Sequence, residues 1–201
     1  MSRYYLRFAI AWIVGVGVGC TSAPVRYYTL TAPPERDGPA TVTTPAIDVR
    51  IAHATPQFKH SELMIRSSPT EVMYLENEKW AAPLDDEIKH ALRLELQRRL
   101  SRAAALPADA VKLTVDIDVQ HFEAELGRYA LLEASWRATL YATAGPAAGA
   151  WTASCAFRAE ERINAGYPEI VTAYQRNIAA LADAIAAALT RSADAASAPC
   201  R

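Results

Sequence analysis

The run Val111-Lys-Leu-Thr-Val-Asp-Ile-Asp-Val119 constrains the fold more than any other segment of the chain. Apolar residues hold the odd positions, and Lys112, Thr114, Asp116 and Asp118 hold the even ones. Only an extended strand sends alternate side chains to opposite faces in this way. After Gln120 the phase inverts, with Phe122, Ala124 and Leu126 apolar at even positions. An extra residue in one strand produces such an inversion, so a bulge or twist is expected near Gln120 and His121. Gly127-Arg128 can turn the chain. Residues 130–144 then alternate Leu132, Ala134, Trp136, Ala138 and Leu140 against Glu133, Ser135, Arg137 and Thr139. A loop at residues 145–149 leads into a further strand at 150–163, and the three strands form an antiparallel meander.

Earlier segments add to the same sheet. Residues 46–51 alternate, with Ile47, Val49 and Ile51 inward, and Pro56 ends the strand. Residues 63–66 and 72–75 suggest two short strands joined by a turn at Ser67-Ser-Pro-Thr70. Tyr27-Tyr-Thr-Leu30 has strand propensity. Two segments have helical period instead. In residues 84–104, Leu84, Ile88, Leu92, Leu96 and Leu100 form one buried stripe, with Ala91, Glu95 and Arg99 drifting to its flank. Pro83 and the acids Asp85, Asp86 and Glu87 suit the start of this helix, and Arg98, Arg99 and Arg102 suit its end. In residues 168–190, Ile170, Tyr174, Ile178, Leu181, Ile185 and Leu189 are three or four residues apart in an alanine-rich background. The expected fold is α/β in the α+β sense. A mixed, largely antiparallel sheet of five to six strands is packed by two amphipathic helices.

The amino terminus carries information of another kind. A basic start, Met1-Ser-Arg-Tyr-Tyr-Leu-Arg7, precedes the apolar run at residues 8–18, then Gly19 and Cys20. This order is that of a secretory signal whose cleavage site ends at a cysteine, and it resembles a bacterial lipoprotein signal. Gly17 stands where such signals commonly place Leu. An uncleaved membrane anchor and a plain cleaved signal are the alternatives. The apolar run falls short of the ~20 residues that a spanning helix needs. By the resemblance, residues 1–19 are a signal peptide and Cys20 carries covalent lipid such as palmitate. Residues 20–26 are then a tether, residues 27–190 the domain and residues 191–201 a flexible tail. Asp after the cysteine commonly marks retention in the inner membrane. Thr21 stands there instead, so the resemblance implies the outer membrane, facing the periplasm, with an inner-membrane anchor as the alternative.

Composition narrows the function. Loss of Arg3 and Arg7 with the signal takes the 21 Lys and Arg to 19, against 22 Asp and Glu, a formal net charge of −3. Nucleic acid would want a basic stripe, and a polybasic second membrane anchor is equally missing from the sequence. The four histidines show no ligand spacing. His121 and Glu123 share a strand face and could be half of a metal site, but a solvated polar face is the expected reading. Asp116 and Asp118 have the spacing of a carboxylate pair for acid–base work, yet they point away from the apolar face of their strand and are expected in solvent. The sequence holds no nucleophile elbow and no phosphate-binding glycine loop, so no catalytic residue, metal or cofactor is expected. Cys155 shares an apolar face with Trp151, Ala153 and Phe157, where a buried free thiol is the plain expectation. In an oxidising periplasm Cys155 could instead pair with Cys200. Trp80 could anchor a partner. The preferred expectation is structural, a staple packed before the first helix.

The succession Cys20, Tyr27-Tyr-Thr-Leu30, Leu75-Glu-Asn-Glu-Lys-Trp80-Ala-Ala-Pro-Leu84, Val115-Asp-Ile-Asp-Val119, Leu132-Glu-Ala-Ser-Trp136 and Tyr174 to Leu189 resembles the PqiC/YmbA-type lipoproteins. These are the auxiliary lipoprotein component of ABC-type transport systems. The resemblance covers most of the chain beyond residue 20. Only Gly127 remains here of the family's Gly-rich stretch between meander strands. The resemblance implies a non-catalytic accessory subunit that works with an MCE-domain membrane-bridging protein and an ABC permease to move lipid or other hydrophobic molecules between membranes. A periplasmic lipid-binding carrier is the alternative, and an envelope assembly lipoprotein a third reading. Self-association into a homo-oligomer is left open.

Overall fold

The long strand anticipated from the alternating run organises the sheet. In the computed structural model, which describes residues 23–33, 45–53, 56–102, 110–143 and 149–194, it extends over Ala110–Glu125. The strands in chain order are β1 (Arg26–Tyr28), β2 (Ala46–His53), β3 (Glu62–Ser68), β4 (Glu71–Trp80), β5 (Ala110–Glu125), β6 (Tyr129–Ala142) and β7 (Gly149–Arg162). Helix α1 is Leu84–Arg102 and helix α2 is Tyr167–Asp194, and a short 3-10 turn occupies Pro56–Lys59. Residues 1–22, with the expected signal peptide and Cys20, the proline- and threonine-rich residues 34–44 before β2, and Cys200 lie outside the described residues.

All seven strands join one sheet in the order β1-β4-β3-β5-β6-β7, with β2 also paired to β5. The count exceeds the expected five to six, while the class is as expected: one mixed, mostly antiparallel sheet with two helices. One side of β5 is paired by β6 along nearly its whole length. The other side is shared. Parallel β2 covers residues 112–118, ending at His53 opposite Asp118, and β3 takes over where Arg66 lies opposite Glu125.

The register shift between Val119 and His121 falls at this hand-over. Leu113, Val115, Ile117 and Val119 are buried before it, Phe122 and Ala124 after it, and Gln120 and His121 are both exposed. The extra residue keeps the apolar side chains on one face, as the inverted phase of the sequence requires. Val111 does not join them and is 46% exposed at the start of the strand. Gly127, with φ of 74°, makes the turn into β6 in a backbone region that glycine enters at little steric cost.

Both helices pack on the apolar face. Leu84, Ile88, Leu92, Leu96 and Leu100 of α1 are buried, and so are Glu87, Ala91 and Glu95, so the stripe is wider than its leucines alone suggest. Arg99 donates to Asp183 of α2 at 2.5 and 3.0 Å and also pairs with Glu95, tying the helices together. Asn177 of α2 is 1% exposed and donates to the Ala130 carbonyl at the start of β6. Ile170, Tyr174, Ile178, Leu181, Ile185 and Leu189 complete the core.

Candidate docking surfaces and the amino-terminal latch

The segment that enters the domain from Cys20 is held by two buried acids. Glu78 of β4 is 4% exposed and Glu87 of α1 is 6% exposed. Arg26 donates to Glu78 through Nε at 2.9 Å, and the Tyr28 hydroxyl donates to the same carboxylate at 2.6 Å. One residue further on, the Thr29 hydroxyl and the Leu30 backbone N–H both donate to Glu87 Oε2 at 2.8 Å. Gln175 of α2 donates to the Thr29 carbonyl at 3.1 Å, and Ala81 N–H donates to the Tyr28 carbonyl at 2.8 Å. Tyr-Tyr-Thr-Leu is therefore a latch, short in strand but fixed to sheet and both helices. Burial, followed by the bond to Glu78, pushes the Tyr28 hydroxyl up to about 12.

Trp80 closes the same strand from inside. It is 3% exposed and lies 6.3 Å from the Phe122 ring and 6.4 Å from the Tyr174 ring, and these two stack at 3.9 Å. The expectation that Trp80 could anchor a partner is corrected: its ring is consumed by the contact of β4 with β5 and α2, and it offers no surface to another molecule. The depression that reaches it has a volume of about 10 Å³, at the lower limit for a single water.

The sheet face opposite the helices is polar, and no described helix packs on it. Arg50 of β2 pairs with Asp116 at 3.2 Å, and His53 lies 3.5 Å from Asp118, whose carboxylate is half exposed. The two aspartates are thus cross-strand partners of β2. An open depression of about 540 Å³ lies over them and over Ser135, Arg137 and Ser154. Glu123, on the same face as His121, is occupied otherwise. Burial alone would raise its pKa, but bonds from Arg66 at 2.5 Å and Tyr129 at 3.0 Å outweigh this and hold it below the usual carboxylate range. Among the described residues no group of three or more His, Cys, Asp or Glu side chains is placed to hold a metal ion.

Cys155 faces the core side of β7 with Trp151, Ala153 and Phe157, as alternation indicates. The expectation of a free thiol there is corrected: Cys155 is disulfide-bonded. Its partner lies outside the described residues. Cys20 and Cys200 are also outside them, so the expected lipidation and the Cys155–Cys200 pairing both remain proposals.

β7 ends the pairing order of the described strands; its residues 149–157 carry no charge, and Cys155 among them is disulfide-bonded. Among the described residues, β1 pairs the outer edge of β4 at residues 78–80. Sequence reasoning did not single out Glu78 or Glu87. The usable signal was local: Glu78 is in phase with inward Trp80, and Glu87 sits one helical turn before Ala91 beside the leucine stripe.

Among the described residues no helix is long and apolar enough to cross a membrane. The model of a family described as "ABC-type transport auxiliary lipoprotein component" matches residues 28–186. No curated protein matches the chain. Among solved structures, one of an uncharacterised protein is similar with a TM-score of 0.57 at 18% identity, covering 82% of this chain and 98% of the other. A Xanthomonas campestris protein assigned to the family DUF330 is similar with a TM-score of 0.54 at 15% identity, covering 86% and 98%. Both likenesses concern the fold.

Proposed function

The chain belongs to the family of ABC-type transport auxiliary lipoprotein components, and from that membership we propose that it is a non-catalytic accessory subunit of an intermembrane transport system for lipid or other hydrophobic molecules. Lipid on Cys20 would hold it to the outer membrane, facing the periplasm. A mature bacterial lipoprotein carries more than one acyl chain, which is what stable anchoring needs. The domain would dock a membrane-bridging MCE-domain protein that works with the ABC permease.

The observation that carries this reading over the carrier alternative is the filled space between the helices and the sheet. Leu92, Leu96, Leu113, Ile117, Ile170 and Ile185 are at most 1% exposed where an acyl chain would have to lie. With lipid on the Cys20 sulfur, Cys200 is the one other cysteine able to pair with Cys155. Mild detergent extraction of the chain from its native envelope, followed by mass spectrometry of what accompanies it, tests the proposal. An MCE-domain protein in near-stoichiometric amount is the expected result. Stoichiometric bound phospholipid with no such partner would replace it with the carrier.

A further inference from the structure

Four large apolar side chains are exposed at one end of the sheet: Val72 at 43%, Met73 at 42%, Tyr74 at 38% and Leu126 at 37%. Val72 and Tyr74 point to one face of β4, where the Tyr74 ring lies 4.3 Å from that of His60, and Met73 points to the other, so the β3–β4 hairpin presents exposed apolar surface on both faces near its tip. Leu126 is in the β5–β6 turn. Because β3 runs parallel to β5, with Arg66 opposite Glu125, that turn lies beside the hairpin tip at the same end of the sheet. Val111 and Tyr141, also exposed, lie at the other end.

The direction of β1 relates this end to the amino terminus. β1 is parallel to β4, with Arg26 opposite Glu78 and Tyr28 opposite Trp80. The chain that precedes Arg26 therefore enters from the side of lower-numbered β4 residues, which is the side of the hairpin tip. From Glu78 to Val72 a strand covers about 20 Å. Residues 20–25, fully extended, cover at most about 20 Å as well. The latch on Glu78 and Glu87 fixes the far end of this short connection, so a lipid on Cys20 cannot reach a bilayer lying at the other end of the sheet.

We infer that the end of the sheet formed by Val72, Met73, Tyr74 and Leu126 rests on the lipid surface, and that the latch and the short tether together set the orientation of the domain on the membrane. This rests on the reading that Cys20 carries lipid. The apolar side chains suit the interfacial region, where an aromatic ring with a polar tip is at home. Of the nearby charges, Arg66 pairs with Glu123 and Arg128 with Glu125, while Glu71 beside Val72 adds an exposed acid, so the contact depends on apolar burial rather than on attraction to anionic headgroups.

A photoreactive benzophenone amino acid placed at Val72, at Met73 or, as control, at Tyr141 tests the orientation. Each full chain, processed in the envelope, is reconstituted in vesicles of phosphatidylethanolamine and phosphatidylglycerol and irradiated, and phospholipid adducts are counted by mass spectrometry. About tenfold more lipid adduct from either hairpin position than from Tyr141 is expected for a domain held at a bilayer interface. Equal labelling at the two ends, or adducts at Val72 and Met73 only to a second protein chain, would overturn the inference. A Cys20→Ser chain carried in parallel tests the premise by itself. If it sediments with vesicles as fully as the unaltered chain, the anchor reading fails and the inference fails with it. If only the unaltered chain sediments and the two ends label alike, the inference alone is wrong.

Discussion

Glu78 and Glu87 hold the point where the chain enters the folded domain; both acids are buried, whereas Arg26 and Thr29, which donate to them, are exposed. Replacing Glu87 with Ala strands the Leu30 N–H, itself in a residue 2% exposed, and should cost about 1–3 kcal/mol of stability. Urea unfolding of Glu87→Ala against the unaltered chain checks this, and an unchanged midpoint would show that the latch holds nothing. The Tyr28 hydroxyl, raised from 10.0 to about 12, adds a pH dependence of definite sign. Its protonated form is favoured by folding, so its contribution is complete below about pH 10 and is lost as pH rises through about 12. Tyr28→Phe should flatten that alkaline loss in stability measured against pH. The phase of each acid was readable locally, but its partners were not, because they are more than fifty residues away in the chain. For Trp80 the preferred structural reading came from its place before α1, but the rings that enclose it, from β5 and α2, were not legible in the sequence. Glu76 and Glu78, in phase with Trp80, mask the alternation of its strand.

At the scale of elements, the meander was legible because alternation within β5, β6 and β7 is a local signal. Even the bulge could be placed within a residue of the observed shift between Val119 and His121. The parallel pairings of β1 with β4 and of β2 with β5 were not legible, since they join remote segments with no connecting turn to announce them. The bulge offers a direct check. Deleting Gln120 would turn Phe122 and Ala124, 4% and 0% exposed, toward the polar face. A loss of about 3–5 kcal/mol in urea unfolding is expected, comparable with removing a buried aromatic side chain. Gln120→Ser keeps the extra residue and should remain within about 1 kcal/mol, as most exposed substitutions do. Equal stability of the deletion and the substitution would mean that the extra residue does not set the phase.

On the scale of the whole molecule, the domain is a filled, helix-backed sheet whose entry point is latched. Cys20→Ser should release the protein from the membrane fraction yet leave its urea midpoint unchanged, because Arg26, Tyr28, Thr29 and Leu30 make their contacts beyond the tether. The disulfide of Cys155 adds a further check. In denaturant without reductant, Cys200→Ser should make Cys155 reactive to iodoacetamide, whereas the unaltered chain should give no labelling at Cys155. The central claim is that the chain works as a lipid-anchored accessory subunit, and the intact mass of protein purified from the envelope of its native host tests it most directly. The mass should match a chain that begins at an acylated Cys20. A chain that retains Met1 with an unmodified Cys20 would contradict it.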